Sequence, residues 1–439
     1  MSSTVTPSAV PMPETQRLVS LDVLRGFDMF WILGADAFVG ALNRLSHSRI
    51  TGFLADQLDH AEWEGFRFYD LIFPLFVFIM GVSTVFSLTK IIAQEGRVAA
   101  TKRVLLRGVL LFLIGIIYSQ GFTNPWPDMR LMGVLNRIAL CYLFGGLLFI
   151  WFNPRALIGF AAAILIGYWT MLNYLPIRDI KLEKSNLATL AETAGDTKLA
   201  AQFRAAGNAS PVNPSATNNS PVWIATQRMY SETTNLVTGK FEMGYNVVNH
   251  FDFEHLPARK YDIFWDPEGL LSTIPAIATG LFGIFAGLFI RHQSVPNTNK
   301  AIWLLGIGAL SVATGFLWGT QFPVIKKLWT SSYVLVAGGY SAMLLGAFYW
   351  IVDVKQWRGW CGPFLWIGMN PITLYLASNF MGGGGFQKLA TRICGGSVKF
   401  FLNAHIATGF GDVVVCVVGV LLFIGFARFL YQRKIFLRL

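Results

Sequence analysis

The loop Asp59-His60-Ala61-Glu62-Trp63-Glu64-Gly65 sets a histidine among carboxylates. It runs into Tyr69-Asp70-Leu71-Ile72-Phe73-Pro74, where a long apolar stretch begins. An imidazole titrates near neutral pH, so it can take a proton from a substrate, and a neighbouring carboxylate can fix its tautomer. Each residue also has a plainer reading. A histidine in a polar loop is often incidental, Trp63 suits a membrane interface as well as a substrate platform, and Asp70 suits the positive end of a helix dipole.

Further polar groups sit inside apolar runs, where ionisable side chains are costly and mark functional sites by default. The first run holds Asp22, Arg25, Asp28 and Asp36. On a straight helix Asp22, Arg25 and Asp36 fall within about 60° of one another, with Asp28 about 60° further round, which predicts a polar stripe facing the bundle interior. Asp22 and Arg25 fit a structural pair equally well; Asp36 has no local partner and leans toward function. Arg137 lies inside another run, where a guanidinium either snorkels or holds a phosphate or carboxylate. Asp266-Pro267-Glu268 opens a later run: capping accounts for Asp266 and less well for Glu268. In Gly368-Met369-Asn370-Pro371 the proline predicts a kink, and Asn370 either serves the site or satisfies the freed backbone.

The elements that must position these groups follow from composition. The 439 residues are 54% hydrophobic and 13% charged, with 37 Phe and 14 Trp. That is about half the charge of a soluble domain, and several apolar runs exceed the roughly 18 residues of a membrane span. A soluble enzyme, a nucleic-acid binder and a disordered chain are excluded; the net charge of +11 comes from Lys and Arg scattered between apolar runs. The pattern predicts an all-α integral membrane protein of about ten transmembrane helices in one bundle, at roughly 18–43, 68–90, 103–120, 130–152, 155–175, 267–290, 300–320, 331–352, 363–381 and 410–432. It divides into a tail (1–16), a first helix group with the histidine loop (17–175), a long loop between spans five and six (176–266) and a second helix group (267–439). With the N-terminus inside, 15 Lys and Arg fall at cytoplasmic ends and nine in short outer loops. Both termini are then cytoplasmic and 176–266 is extracytoplasmic. That loop reads as a tolerated insertion or as a functional element; its last part, Phe251 to Trp265, is expected to pack over a site. Residues 382–409 begin glycine-rich and are expected to form a loop with a re-entrant or surface helix. The four cysteines show neither metal spacing nor a disulfide framework, and no cleavable signal peptide is evident.

Taken in order, RLVSLDVLRG (17–26), HAEWEGFRFYDLIFPLFVFIMGVS (60–83), GVLNR (133–137), DPEGLLSTI (266–274), KLWTSSYV (327–334), VDV (352–354) and GMNP (368–371) resemble the heparan-α-glucosaminide N-acetyltransferase family of transmembrane acyltransferases. The expected member is a bacterial relative in the cytoplasmic membrane, without the lumenal N-terminal domain of the lysosomal enzyme. It departs from that enzyme in the polar pattern around Gly34-Ala35-Asp36 and in the long loop, where the acceptor sugar is at issue more than the acyl chemistry.

The resemblance implies transfer of an acetyl group from cytoplasmic acetyl-CoA, as co-substrate and without a metal, to the amine of an extracytoplasmic amino sugar. His60 is implied as general base or acyl carrier, with Asp70 and Asp36 beside it. Trp63, Asp266, Glu268 and Asn370 are expected at the sugar, and Arg25, Arg103, Arg107 and Arg137 at the CoA phosphates. The partners are then the sugar and the lipid bilayer, with no nucleic acid, and a homodimer is compatible. The competing reading is a multi-pass transporter of a sugar or other small solute, since intramembrane charges and broken helices also mark transport pathways. No pair of matching broken helices and no internal repeat supports it. A third reading is a sugar- or lipid-binding membrane protein without catalysis.

Overall fold

The computed structural model describes residues 18–119, 121–126, 128–207, 219–380 and 385–437. The expected tail 1–16, Arg17, Arg438, Gly382 to Gly384 and most of the Asn/Ser/Pro-rich part of the long loop lie outside the described residues.

The chain is an all-α membrane protein. Seven helices among the described residues are long and apolar enough to cross a membrane: Phe68–Tyr118, Val134–Trp151, Pro154–Tyr174, Leu270–Arg291, Asn297–Gly319, Ser331–Val354 and Phe410–Gln432. The first has 51 residues, at 1.5 Å per residue about 75 Å, far more than a bilayer needs. It is broken at Gly96 (φ 85°, ψ 174°), between the two spans predicted at 68–90 and 103–120.

Two other predicted spans are interrupted. Residues 18–43 become Val19–Phe30 and Asp36–Ser46, joined by a π-helical turn over Trp31–Ala35 in which Gly34 takes φ 122°. The straight-helix register on which one polar stripe was predicted therefore ends at Gly34. Asp22 and Arg25 stay on one arm, paired at 3.2 Å, while Asp36 starts the other. Residues 363–381 split into Gly362–Gly368 and Pro371–Phe380, because Pro371 has no N–H to continue the ladder. Gly26 and Gly368 lie where these two broken elements cross, so close that a Cβ on either would run into the other's backbone.

The main core gathers Leu24, Leu75, Phe78, Val82, Ala278, Tyr333 and Val336 from the long helices. The segment 176–266 is a folded unit, not an unstructured insertion. Helices Lys184–Thr193, Thr197–Ala205, Pro221–Glu232 and Val247–His255 pack with two small antiparallel sheets, Ile177–Arg178 with Leu236–Val237 and Phe241–Glu242 with Tyr245–Asn246. Asp196, Ser220 and Asn246 cap three of the helices. Leu187, Phe203, Trp223, Phe253, Phe264 and Trp265 form its own apolar core. Residues 251–265 thus fill this core and seat the unit on the bundle, where Trp265 meets Trp63 at 5.8 Å. Beyond the glycine-rich stretch the chain forms two short helices, Gly385–Cys394 and Ser397–His405.

Candidate active site

His60 is held between two chain segments. Its Nδ1 lies 2.9 Å from Asp70 Oδ1 and 3.0 Å from Lys326 Nζ, and the same ammonium lies 3.3 Å from Asp70 Oδ1. Asp70 is buried at the start of the Phe68–Tyr118 helix. One of its oxygens accepts the backbone N–H groups of Ala61 and Arg67, each at 3.1 Å, and so caps the helix; the other faces the histidine. Asp70 therefore caps the helix and touches the histidine at the same time. Tyr333 fixes the same turn by donating to the Asp70 carbonyl at 2.8 Å.

Lys326 arrives from the turn before Ser331–Val354. The histidine loop pairs with that turn, Gly65 N–H donating to the Val324 carbonyl at 2.9 Å and Glu64 bridging to Ile325. Burial pushes the Lys326 ammonium down from its ordinary value, while Asp70 and Glu268 pull it back up. Two proton arrangements fit this geometry. With Nδ1–H donated to Asp70, the Nε2 lone pair is free to act as a base. With Lys326 donating to Nδ1, the proton sits on Nε2. The carboxylate favours the first, since it cannot donate.

Glu268 faces the site from the entrance of Leu270–Arg291. Arg130 clamps it at 3.0 Å and binds Asp266 twice, at 3.0 and 2.9 Å, with Tyr261 under the guanidinium. Burial raises the Glu268 carboxyl above the usual range, and Arg130 opposes that shift.

Two cavities adjoin inside the bundle. One, of about 290 Å³, has His60, Tyr69, Glu268, Lys326 and Tyr375 at one end and apolar walls from Met29, Ile72, Phe73, Val134 and Leu135. The other, of about 350 Å³, is lined by Arg25, Ser83, Ser87, Arg103, Arg107 and Tyr142. They share a wall of Phe76, Ile138, Pro371 and Ile372. Three guanidinium groups thus line one cavity and the imidazole lines its neighbour across that wall. Arg25 is oriented there by Ser83 Oγ at 2.7 Å and the Gly368 carbonyl at 3.3 Å, and Arg107 lies over the Tyr142 ring at 5.3 Å.

The structure brings His60 and Glu268 to one cavity, with Asp70 buried behind the histidine, and Arg25, Arg103 and Arg107 to the next. Asp36 reaches the histidine only through Tyr69, whose hydroxyl donates to it at 3.3 Å and whose ring lies 4.9 Å from the imidazole. Four expected residues lie elsewhere. Trp63 donates its indole N–H to the Phe241 carbonyl at 2.7 Å and anchors the folded unit instead of lining a cavity. The Asp266 carboxylate is consumed by Arg130 and by the N–H groups of Tyr261 and Glu268. Arg137 is fully buried, donates to the Pro267 carbonyl at 2.9 Å and to Ser272, and stacks over Trp329 at 4.8 Å. It ties Val134–Trp151 to the start of Leu270–Arg291 and lines neither cavity. Asn370 is buried between Met369 and Pro371, which do line the second cavity, and its amide finds no partner among the described residues. Lys326, Arg130 and Tyr69 were not singled out as site residues from the sequence. Only their placement in the resembling stretches or beside them pointed their way.

Comparison with known proteins agrees with the resemblance. The family model for the catalytic region of heparan-alpha-glucosaminide N-acetyltransferase matches residues 17–189. The mouse protein of that name is 28% identical over 335 residues, and the human one 29% over 338, each covering 72% of this chain and 48% of the relative. The chain thus spans about half the length of the curated relatives it matches. His60, Asp36 and Asp70 lie within the matched region, whereas Glu268 and Lys326 lie beyond it.

Proposed function

We propose that the chain is a transmembrane acetyltransferase that moves an acetyl group from acetyl-CoA to the amine of an amino sugar on the other side of the membrane. The observation that carries this reading is the pair of cavities with a common wall, guanidinium groups at one end and a carboxylate-bound histidine at the other. Arg25, Arg103 and Arg107 fit the phosphates of CoA, because a guanidinium binds phosphate oxygens in a fixed fork. The apolar stretch between Phe76 and Phe73 suits the pantetheine arm, which brings the thioester to His60. The basic-residue bias supports an orientation with the Arg103 end in the cytoplasm, where CoA is found, and His60 outside, as in a bacterial inner-membrane protein with both termini inside.

In this reading the amine of the acceptor first gives up its ammonium proton to solvent. Its lone pair then attacks the thioester carbonyl carbon, the C–N bond forms and the C–S bond breaks. His60 Nε2 takes one of the two protons left on that nitrogen and returns it to the departing thiolate, and the other stays as the amide N–H. Asp70 holds the Nδ1–H tautomer and stabilises the imidazolium while it exists. Lys326 keeps Asp70 ionised, and Glu268 accepts a hydrogen bond from the acceptor. Purified protein in detergent, given labelled acetyl-CoA and glucosamine, should form labelled N-acetylglucosamine and free CoA in equal amounts. Uptake of sugar into vesicles without CoA, and no acetyl transfer, would favour the transporter instead.

A further inference from the structure

A third cavity, of about 470 Å³, adjoins the histidine cavity and shares Ile32 and Tyr375 with it. Its character is different. Asp36, Tyr118, Ser378, Asn379 and Gln387 line it, so carboxylate, hydroxyl and amide groups replace the aliphatic wall. No Lys or Arg is among its described lining residues. The π-helical turn makes the space: Gly34 at φ 122° lines it, and Gln387 Nε2 donates to the Gly34 carbonyl at 3.4 Å and to the Cys416 carbonyl at 3.3 Å. Tyr118 and Tyr375 stack at 4.5 Å with planes 9° apart, and Asn379 donates to the Tyr118 carbonyl at 2.7 Å, so the wall toward the histidine is an ordered aromatic pair.

We infer that this cleft binds the hydroxylated ring of the acceptor, and that it selects a ring without an acidic substituent. The inference rests on the acetyl-transfer reading only for the amine that the ring presents to His60. A sugar ring cannot lie along the aliphatic wall of the histidine cavity, because each hydroxyl left unpaired there costs about 1–3 kcal/mol. The adjoining cleft offers the missing partners. Asp36 accepts from hydroxyls, or from the ammonium of a waiting acceptor, and Ser378 donates or accepts. The edge of Tyr375 marks where the ring ends and the amine passes to His60. A sulfate or carboxylate on the ring would face Asp36 with no cation among the described lining residues to pair it.

Calorimetric titration of the intact protein in lipid nanodiscs tests this without needing turnover. The probes are a glucosamine-terminated disaccharide and the same disaccharide with a sulfate on the terminal ring. Wild type should bind the unsulfated sugar and bind the sulfated one at least about tenfold more weakly. Asp36→Asn should weaken the unsulfated sugar by about tenfold, the loss of one hydrogen bond to a charged group, and narrow the gap between the two sugars. Ser378→Leu, which fills the cleft, should abolish binding of both while acetyl-CoA affinity, which reports the fold, stays at the wild-type value. Equal sugar affinity in wild type, Asp36→Asn and Ser378→Leu overturns the inference, as does no binding to wild type. Binding that obeys these rules without acetyl transfer would leave the cleft assigned and refute the proposed reaction instead. Transfer by wild type with unaltered acceptor KM in both variants would do the reverse.

Discussion

Replacing Asp70 with Asn separates orientation of the histidine from its mere presence. The change keeps the size of the side chain and removes its charge, 2.9 Å from His60 Nδ1 and 3.3 Å from Lys326 Nζ. At an effective dielectric of roughly 20, an imidazolium 2.9 Å from the carboxylate gains about 6 kcal/mol. His60 is 48% exposed at its side chain, so solvent screening removes about half of that, leaving about 3 kcal/mol. At 1.36 kcal/mol per decade this is about a 100-fold loss in the proton-transfer step. A further loss follows if the amide donates to Nδ1 and leaves the proton on Nε2, so kcat should fall by about 10²–10⁴. The assay is CoA-thiol release with saturating glucosamine, alongside acetyl-CoA affinity and thermal unfolding. Acetyl-CoA affinity should be unchanged, because the guanidinium groups that fit its phosphates lie in the other cavity. Lys326→Met added to Asp70→Asn should recover stability, by removing a half-buried cation that has lost its carboxylate partner, but not turnover. A folded Asp70→Asn protein within threefold of wild-type kcat would refute the role given to the pair.

Four other outcomes are expected. Arg103→Ala and Arg107→Ala should each raise the KM for acetyl-CoA about tenfold and leave that for the acceptor unchanged, read from initial rates at fixed salt. Arg137→Ala should lower the unfolding free energy by about 1–3 kcal/mol through its lost hydrogen bonds, with acetyl-CoA KM preserved in the folded fraction; a raised KM without loss of stability would return Arg137 to the donor site. Burial lowers the His250 imidazole to about 4, below the 6.5 of an exposed one, so the unfolded chain binds the extra proton. Stability of the 176–266 unit should therefore be full above about pH 6.5 and fall by roughly 3 kcal/mol as pH drops through 4, and His250→Gln should flatten that dependence in thermal unfolding of the intact protein. Thr193→Cys should react with a membrane-impermeant maleimide added outside cells, and Glu95→Cys only after permeabilisation; the opposite pattern would invert the orientation.

The membrane class and most of the helices were written into the sequence, because a span needs a long apolar run whatever it packs against. His60 and Asp70 were legible for a similar reason: they are ten residues apart on a loop and the helix turn that follows, and their chemistry is local. The broken spans were only half legible. Pro371 announced its interruption, but nothing in the residues around Gly34 announced a π-helical turn, and that turn moved Asp36 off the stripe it shared with Asp22 and Arg25. Long-range pairing decided the rest. Lys326 reaches His60 only because Gly65 meets Val324 across some 260 residues, and Arg130 reaches Glu268 only because two helix entrances lie side by side. Other long-range contacts engage three more expected residues: Trp63 with the Phe241 carbonyl, Asp266 with Arg130, and Arg137 with Pro267 and Ser272. A buried charge or indole N–H takes whichever partner the packed chain brings within hydrogen-bond distance, and composition and spacing along one segment cannot say which segment that will be.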